Sequence, residues 1–359
     1  MPLDYVETVI REAKKVQGKA GEWGTVAKEA VKDAIRKIFQ SSAFNTCTTQ
    51  KLPVMSGQPM KIAIDDRKVV NPVNIQKPYN VPVHCKEAVH QQLLESVRMG
   101  IIEPVPVDDT SPWCAPMMTV MKSNGDPRMV TNFQGLNRVC KRAPYSTQDT
   151  LRQLLSLPAA KGKEAMFFSS VDAWNGYHSI QVEEESRQFL TFNTEWGRFR
   201  YKVAPQGFLG SGDHYTNILN GIFDRKVEEV KKNLKPGERN IWACPITKKQ
   251  VPMKRCIDDT LTWAGSFEDA IRQIWAILYW GAEEGVVFNP DKLILGEKEI
   301  KIFGFKIDKV GIHPTKEMKD AIRGVLLSKS IKMMRAFMGL IAQVSWTKIE
   351  KQPDRTGKN

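Results

Sequence analysis

The sequence lacks the closely spaced cysteines and histidines from which structural zinc sites are built. Its six cysteines and five histidines are scattered over 359 residues, with no Cys-x-x-Cys pair. This scatter argues against a zinc module or a disulfide framework, and it favours a protein of a reducing compartment.

Long apolar runs are also missing. No stretch approaches the roughly 18 consecutive apolar residues of a membrane helix, so we expect no membrane association. The start, Met1-Pro2-Leu3-Asp4-Tyr5, has no basic region followed by an apolar stretch, so no secretory signal is expected. Hydrophobic residues make up 42% and charged residues 26% of the chain, as in ordinary globular proteins. A chain of this length can form more than one domain, or one domain with subdomains.

Acidic residues are fewer than basic ones. The chain has 53 Lys and Arg against 40 Asp and Glu, a formal net charge of +13. Such an excess favours polyanionic partners, and nucleic acid comes first because phosphate is the densest common negative charge. A merely soluble basic protein remains the alternative on charge alone.

Two adjacent carboxylates stand out against this basic background. Asp258 and Asp259 lie between short apolar runs, in the pattern of a β-hairpin with both aspartates at its turn. Neighbouring like charges repel each other unless a cation holds them together. Asp172 ends another apolar run, and three such carboxylates are what a two-metal phosphoryl-transfer site requires. A hydrophilic turn is the alternative interpretation of the pair.

The rest of the chain divides into a few predicted segments. Apolar residues at three- and four-residue spacing predict helices up to residue 39, interrupted at 18–24; this segment is a helical cap or linker, or a docking helix. Residues 41–83 are rich in proline and predict an extended connection. Helices are then expected at 86–99, 214–230, 267–285 and 315–346, and strands at 292–295 and 300–307. The strands expected at 116–121 and 128–133 flank the turn signal Asn124-Gly125, which predicts a hairpin. A further hairpin is expected at 189–203, and a basic, irregular insertion at 231–252.

Six blocks resemble, in order, the reverse transcriptases of gypsy-type LTR retrotransposons and retroviruses. The resemblance spans roughly residues 72–346. The blocks are Val171-Asp172-Ala173-Trp174-Asn175-Gly176-Tyr177-His178, Ala204-Pro205-Gln206-Gly207-Phe208, Cys256-Ile257-Asp258-Asp259, Asn289-Pro290-Asp291-Lys292, Phe303-Gly304-Phe305 and Arg335-Ala336-Phe337-Met338-Gly339-Leu340. Any single block is weak evidence, whereas six in order are strong evidence.

The resemblance implies a fold. We expect an α+β right-hand polymerase with fingers, a palm built on an antiparallel sheet, and a partial thumb. The expected divisions are an N-terminal helical segment (1–40), an extended Pro-rich linker (41–83), fingers and palm (84–307), and a partial thumb or connection with a tail (308–359).

The resemblance also implies a site and partners. Asp172, Asp258 and Asp259 would be the catalytic residues and, with the Ala173 carbonyl, would bind two Mg²⁺ ions, with Mn²⁺ as a substitute. The partners would be dNTPs and a primed RNA or DNA template; the oligomeric state is left open. The substrate-binding residues would be Lys122 and Arg128 on the triphosphate, Gln206 and Gly207 under the nucleotide, Tyr177 as the steric gate and Lys292 near the leaving pyrophosphate, with Phe303, Gly304 and Phe305 as the primer grip.

Each of these residues also has an ordinary structural explanation, which stays open beside the role that the resemblance implies. The alternatives are a solvated basic turn for Lys122 and Arg128, a core position for Tyr177, a strand-to-helix turn for Gln206 and Gly207, and a surface position for Lys292. The sequence also departs from the family pattern: Cys256 replaces a common tyrosine, Asn132 replaces an acidic residue, and the 231–252 insertion resembles a tolerated surface loop.

The expected activity is RNA-directed DNA polymerisation from a retrotransposon Pol polyprotein. The location implied is the cytoplasm, within virus-like particles, with the nucleus as the alternative for a domesticated copy. A competing hypothesis is a degenerate element fragment that binds nucleic acid without polymerising. An RNA-dependent RNA polymerase is disfavoured by Tyr177 at the gate.

Overall fold

The computed structural model describes residues 4–15, 23–65, 67–68, 72, 74, 77–122, 125–142, 154, 156–157, 166–323, 334–335 and 338. The helices in these ranges are α1 (Tyr5–Lys15), α2 (Thr25–Phe39), α3 (Lys86–Arg98), α4 (Gln134–Val139), α5 (Glu184–Arg187), α6 (Ser211–Asn233), α7 (Phe267–Glu283) and α8 (Lys316–Arg323). The strands are β1 (Ile102–Pro104), β2 (Ala115–Met121), β3 (Pro127–Thr131), β4 (Phe167–Asp172), β5 (Thr191–Thr194), β6 (Gly197–Tyr201), β7 (Met253–Cys256), β8 (Asp259–Ala264), β9 (Ile294–Glu297), β10 (Glu299–Ile302), β11 (Phe305–Asp308) and β12 (Ile312–Pro314). No helix in this part of the chain is long and apolar enough to span a membrane.

A four-stranded antiparallel sheet, which we call the palm sheet, forms the centre of the molecule. Its order is β7-β8-β4-β9. Helix α7 packs across it and buries an apolar face that includes Ile271, Ile274 and Trp275. The side chain of Ser266 accepts a hydrogen bond from the Asp269 N–H and so caps the start of this helix. The predicted antiparallel sheet with packed helices is therefore present.

A second sheet, which we call the fingers sheet, has the order β1-β6-β5-β2-β3. Strands β2 and β5 pair in parallel, and every other neighbouring pair in it is antiparallel. Two of the hairpins predicted from sequence, β2–β3 and β5–β6, lie in this sheet. Helix α3 packs against strands β1 and β3.

The N-terminal helices pack on the helical side of the palm. Helix α2 buries Val31, Ile35 and Phe39, and the ring of Phe39 meets that of Trp275 edge-on at 5.0 Å. Helix α1 is tied to α7 by the Arg272 guanidinium, which donates to both carboxylate oxygens of Glu7 at 2.6 and 2.9 Å. These two helices thus extend the core of the palm.

The extended segment after α2 also lies against the body of the protein. The Met55 and Met60 N–H groups donate to the carbonyls of Ser179 and Gln181 at 2.8 and 2.7 Å. Both methionine side chains are buried. This segment is therefore anchored to the body of the protein at Met55 and Met60.

The insertion at 231–252 is anchored as well. Trp242 is buried and stacks on Trp280 with ring centroids 5.1 Å apart. The buried Gln273 amide donates to the Ile241 carbonyl at 2.7 Å. Its polar residues lie outside, but its centre is part of the hydrophobic core.

The single strand predicted at 300–307 is wrong. The structure has a hairpin, β10–β11, whose two-residue turn is Phe303-Gly304. Both turn residues have positive φ, 54° and 80°, the combination that a type I′ hairpin turn needs. The strand expected at 292–295 begins later, at Ile294, because Pro290–Lys292 forms a 3-10 turn. Most of the expected thumb, including all but Arg335 and Met338 of the last sequence block, lies outside the described residues.

Candidate active site

Three aspartates meet at one end of the palm sheet. Asp172 is the last residue of β4, and Asp259, the first of β8, is its register partner. Register partners in an antiparallel pair have Cα atoms roughly 4.5–5.5 Å apart. Asp258 is in the β7–β8 turn, and its carbonyl accepts a hydrogen bond from the Ala173 N–H at 2.8 Å. The structure therefore brings together the three carboxylates predicted from sequence.

The turn that carries Asp258 is strained and held from the side. Ile257 has a φ of 55°, a conformation that costs a β-branched residue about 1–3 kcal/mol. The neighbouring Arg255 donates from Nε to the Asn220 side chain of α6 at 2.7 Å and forms an ion pair with Asp224 one turn further on. These contacts of Arg255 were not predicted, because Asn220 and Asp224 are distant from it in the chain.

The cluster carries excess negative charge. Burial, reinforced by the charge of Asp172, raises the pKa of Asp258 to about 6. The same two causes, with a hydrogen bond to Asp172, raise the pKa of Asp259 to about 6. Lys292 opposes both shifts: its ammonium lies 2.9 and 3.0 Å from the two carboxylate oxygens of Asp172. That ion pair in turn raises the pKa of Lys292.

Among the described residues, no group of three His, Cys, Asp or Glu side chains is already arranged to hold a metal ion. The chemistry of the aspartate cluster nevertheless fits a divalent cation. One Asp258 carboxylate oxygen is buried and has no hydrogen-bond partner. A buried anionic oxygen without a donor is costly unless a cation compensates it. Oxygen-only ligands of this kind suit Mg²⁺ or Mn²⁺.

The Ala173 carbonyl, predicted as a further metal ligand, lies beside the cluster. Ala173 forms a β-bridge with Phe288. The hydrogen bonds of that bridge run from the Trp174 N–H to the Val287 carbonyl and from the Asn289 N–H to the Asp172 carbonyl. The bridge therefore fixes this backbone without using the Ala173 carbonyl.

Tyr177 stands on a 3-10 turn, Gly176–Ser179, directly after the cluster. Its half-buried ring meets Tyr215 of α6 edge-on at 5.5 Å. Burial and the charge of Asp258 raise the pKa of Tyr177, which keeps its hydroxyl neutral. A Cβ on Gly176 would lie 2.7 Å from the Tyr215 ring, so only glycine allows this approach. Tyr215, which holds the ring of Tyr177, was not predicted.

A cavity of about 560 Å³ opens beside this turn, between it, helix α3 and the fingers sheet. It is lined by four of the residues predicted to bind the nucleotide, namely Lys122, Arg128, Gln206 and Gly207, but not by Tyr177 or Lys292. Asn175 and His178 line it as well. Burial and the nearby Arg128 lower the pKa of His178 to about 4, so the imidazole is neutral at neutral pH. The sequence analysis did not single out His178.

A second cavity, of about 510 Å³, lies beside the aspartate cluster. Asp172, Asp259 and Lys292 line it together with all three predicted primer-grip residues, Phe303, Gly304 and Phe305. The side chain of Phe305 is buried in a small hydrophobic cluster, and that of Phe303 packs against the same cluster.

Comparison with known proteins identifies the class. The family "Reverse transcriptase (RNA-dependent DNA polymerase)" matches residues 120–307, more than half of the chain. The chain therefore belongs to the reverse transcriptase family, as its motifs predicted.

Similar proteins come from a retrotransposon and from foamy virus. The transposon Tf2-3 and Tf2-7 polyproteins of Schizosaccharomyces pombe are each 23% identical over 333 residues, 92% of this chain and 22% of each polyprotein. The chain thus spans about a fifth of the length of these relatives. The solved foamy viral protease-reverse transcriptase matches in complex with an RNA/DNA hybrid (TM-score 0.68, 18% identity, 96% of this chain and 40% of that chain). The dRH form with double-stranded DNA matches similarly (TM-score 0.70, 19% identity, 96% and 52%). The predicted α+β polymerase fold is confirmed.

Proposed function

We propose that this chain is an RNA-directed DNA polymerase that extends a primed template with dNTPs. The observation that carries the proposal is the convergence of Asp172, Asp258 and Asp259 at the end of the palm sheet. Asp172 and Asp259 line the cavity of the predicted primer grip, and the cavity lined by four of the predicted nucleotide-binding residues lies beside the turn that follows Asp172. A primer end and a triphosphate placed in these two cavities would meet at the carboxylates.

The carboxylates and the Ala173 carbonyl would hold two Mg²⁺ ions. When bound, the ions lower the pKa of the attacking hydroxyl and neutralise charge on the leaving pyrophosphate. Neutralising the cluster would also remove the repulsion from Asp172 that adds to burial in raising the pKa of Asp258 and Asp259.

The protein's own side chains position the substrates. Arg128 offers a planar fork and Lys122 a mobile charge to the triphosphate. Tyr177, whose ring packs edge-on against Tyr215, would be the steric gate that clashes with a ribose 2′-hydroxyl. Lys292 already bears its charge beside Asp172 and would stabilise the pyrophosphate once a metal ion takes over that carboxylate.

Primer extension on poly(rA)·oligo(dT) with Mg²⁺ tests the proposal. Wild type should incorporate dTTP, and Asp172→Asn should lose incorporation by at least about a thousandfold while keeping its template affinity. The matched control is Asp308→Asn, which removes a carboxylate from the small β10–β12 sheet and should retain activity. Wild type that binds the template-primer but incorporates nothing would contradict the proposal.

A binder without polymerase activity is the second candidate. The observation in its favour is the Lys292–Asp172 ion pair, which satisfies both oxygens of the carboxylate that a metal ion would need. Under this alternative, Mg²⁺ should leave the thermal stability of the chain unchanged. Polymerisation requires Mg²⁺ to compete successfully with the ammonium and to stabilise the fold.

A further inference from the structure

Helix α2 presents a stripe of basic side chains to the chain segment beside the active site. Lys28, Lys32 and Arg36 are spaced four residues apart and so share one helix face. The Lys28 ammonium donates to the Gly296 carbonyl at 3.1 Å. At the other end, Arg36 Nε donates to the Pro290 carbonyl at 3.2 Å. The stripe therefore grips both ends of segment 290–297.

That segment carries the lysine of the active site. Lys292 closes the 3-10 turn Pro290–Lys292, and β9 then pairs with β4, the strand that ends in Asp172. The residue before the turn is tied to the same acid, because the Asn289 N–H donates to the Asp172 carbonyl at 2.8 Å. A shift of the turn would therefore move Lys292 relative to Asp172.

The turn has few hydrogen bonds of its own, one of them from the Asp291 N–H to the Asn289 side chain at 3.0 Å. Its backbone hydrogen bonds are long: the Lys292 N–H lies 3.2 Å from the Asn289 carbonyl, and the Leu293 N–H lies 3.4 Å from the Pro290 carbonyl. The guanidinium of Arg36, itself oriented by Asp33 at 3.0 Å, adds a charge-assisted bond from another element. Phe288, just before the turn, is held by the same region, since its N–H donates to the Ala43 carbonyl at 2.7 Å.

We propose that Arg36 is a positioning residue for Lys292, and that the N-terminal helices serve the active site as a brace on its leaving-group side. The segment predicted as a cap, linker or docking helix is thereby a working part of the palm. The expected effect of Arg36 on catalysis rests on the proposed function, whereas its role in holding the Pro290–Lys292 turn does not.

Hydrogen exchange tests the mechanical role in the full chain. Arg36→Met should speed exchange of the peptide covering residues 287–293 by about tenfold, because local opening costs less without the bond to the Pro290 carbonyl. Arg36→Lys retains a donor and should restore most of the protection. Lys37→Met, an exposed neighbour on the same helix, should match wild type. Equal exchange in Arg36→Met and wild type would overturn the inference.

A double-mutant cycle with Lys292→Met tests the consequence. Arg36→Met should lower kcat by about five- to tenfold, while the KM for dNTP and the template affinity stay within about twofold. In the Lys292→Met background the same change should have no further effect, because the residue it positions is gone. Additive losses in the cycle, or a loss that simply follows a lower thermal stability, would contradict the positioning role.

The two proposals fail separately. A wild-type chain without polymerase activity contradicts the proposed function, and hydrogen exchange alone then decides the role of Arg36. An active wild type with unchanged exchange in Arg36→Met overturns the brace and leaves the proposed function standing.

Discussion

Replacing Asp258 by asparagine should abolish extension and also stabilise the metal-free protein. The change removes a charge but nearly keeps the shape of the side chain. In the structure this carboxylate is mostly buried, faces the charge of Asp172, and has an oxygen without a hydrogen-bond donor. Its ionised form is therefore a cost to the fold that only a cation offsets.

The size of that cost follows from the pKa of Asp258. A rise from the ordinary 3.8 to about 6 corresponds to an upper limit of about 3 kcal/mol at 1.36 kcal/mol per pH unit. Solvent exposure of the side chain reduces this, so we expect Asp258→Asn to raise the free energy of unfolding by about 1–2 kcal/mol. Since the pKa is raised in the folded state, the cost is absent below pH 3.8 and fully present above pH 6.

Denaturant unfolding in EDTA at pH 4 and pH 8 checks both the size and the sign. Wild type and Asp258→Asn should differ at pH 8 and converge at pH 4. Asp308→Asn is a control of opposite sign: although burial opposes it, hydrogen bonds from the Val310 and Gly311 N–H groups and from His313 hold the pKa of Asp308 below its ordinary value, so its removal should destabilise at pH 8. Destabilisation of the Asp258→Asn protein at pH 8 would refute the reasoning and make that carboxylate structural.

Three further changes test other parts of the site and its support. Tyr177→Val should raise ribonucleotide incorporation relative to dNTP by about a hundredfold in kcat/KM; an unchanged ratio would rule out the gate. Gly176→Ala forces a Cβ against the Tyr215 ring and should cost about 1–3 kcal/mol of stability by thermal unfolding. Gly24→Ala, whose Cβ meets no atom within 4 Å, should be tolerated. Trp242→Ala in the insertion should cost about 3–5 kcal/mol by denaturant unfolding; a cost below about 1 kcal/mol would return the insertion to the status of a surface loop.

Local sequence signals predicted the elements that carry the acids. Asp258 and Asp259 sit between short apolar runs, and the structure places them at the β7–β8 hairpin. The Asn124-Gly125 turn signal predicted the β2–β3 hairpin, although Asn124 itself lies outside the described residues. Because such signals depend only on neighbours in the chain, they can be recognised from the sequence alone.

The features that sequence analysis missed depend on contacts between distant segments or on unusual backbone. Nothing local indicates that Arg255 would reach α6 or that Arg36 would reach the Pro290 carbonyl. Phe303 adopts a positive φ that phenylalanine rarely takes, so the sequence reads as one strand where the structure has a hairpin. The 231–252 insertion looked like a surface loop because charged and polar residues flank its short apolar run, Ile241-Trp242-Ala243-Cys244-Pro245-Ile246, on both sides.

Diffraction from crystals grown with template-primer, a non-hydrolysable dNTP analogue and Mn²⁺ would test the central claim most directly. We expect two anomalous peaks among the carboxylates of Asp172, Asp258 and Asp259, with Lys292 released from Asp172 and turned to the triphosphate. No anomalous peak at the carboxylates, with the Lys292–Asp172 ion pair intact beside bound nucleic acid, would contradict it.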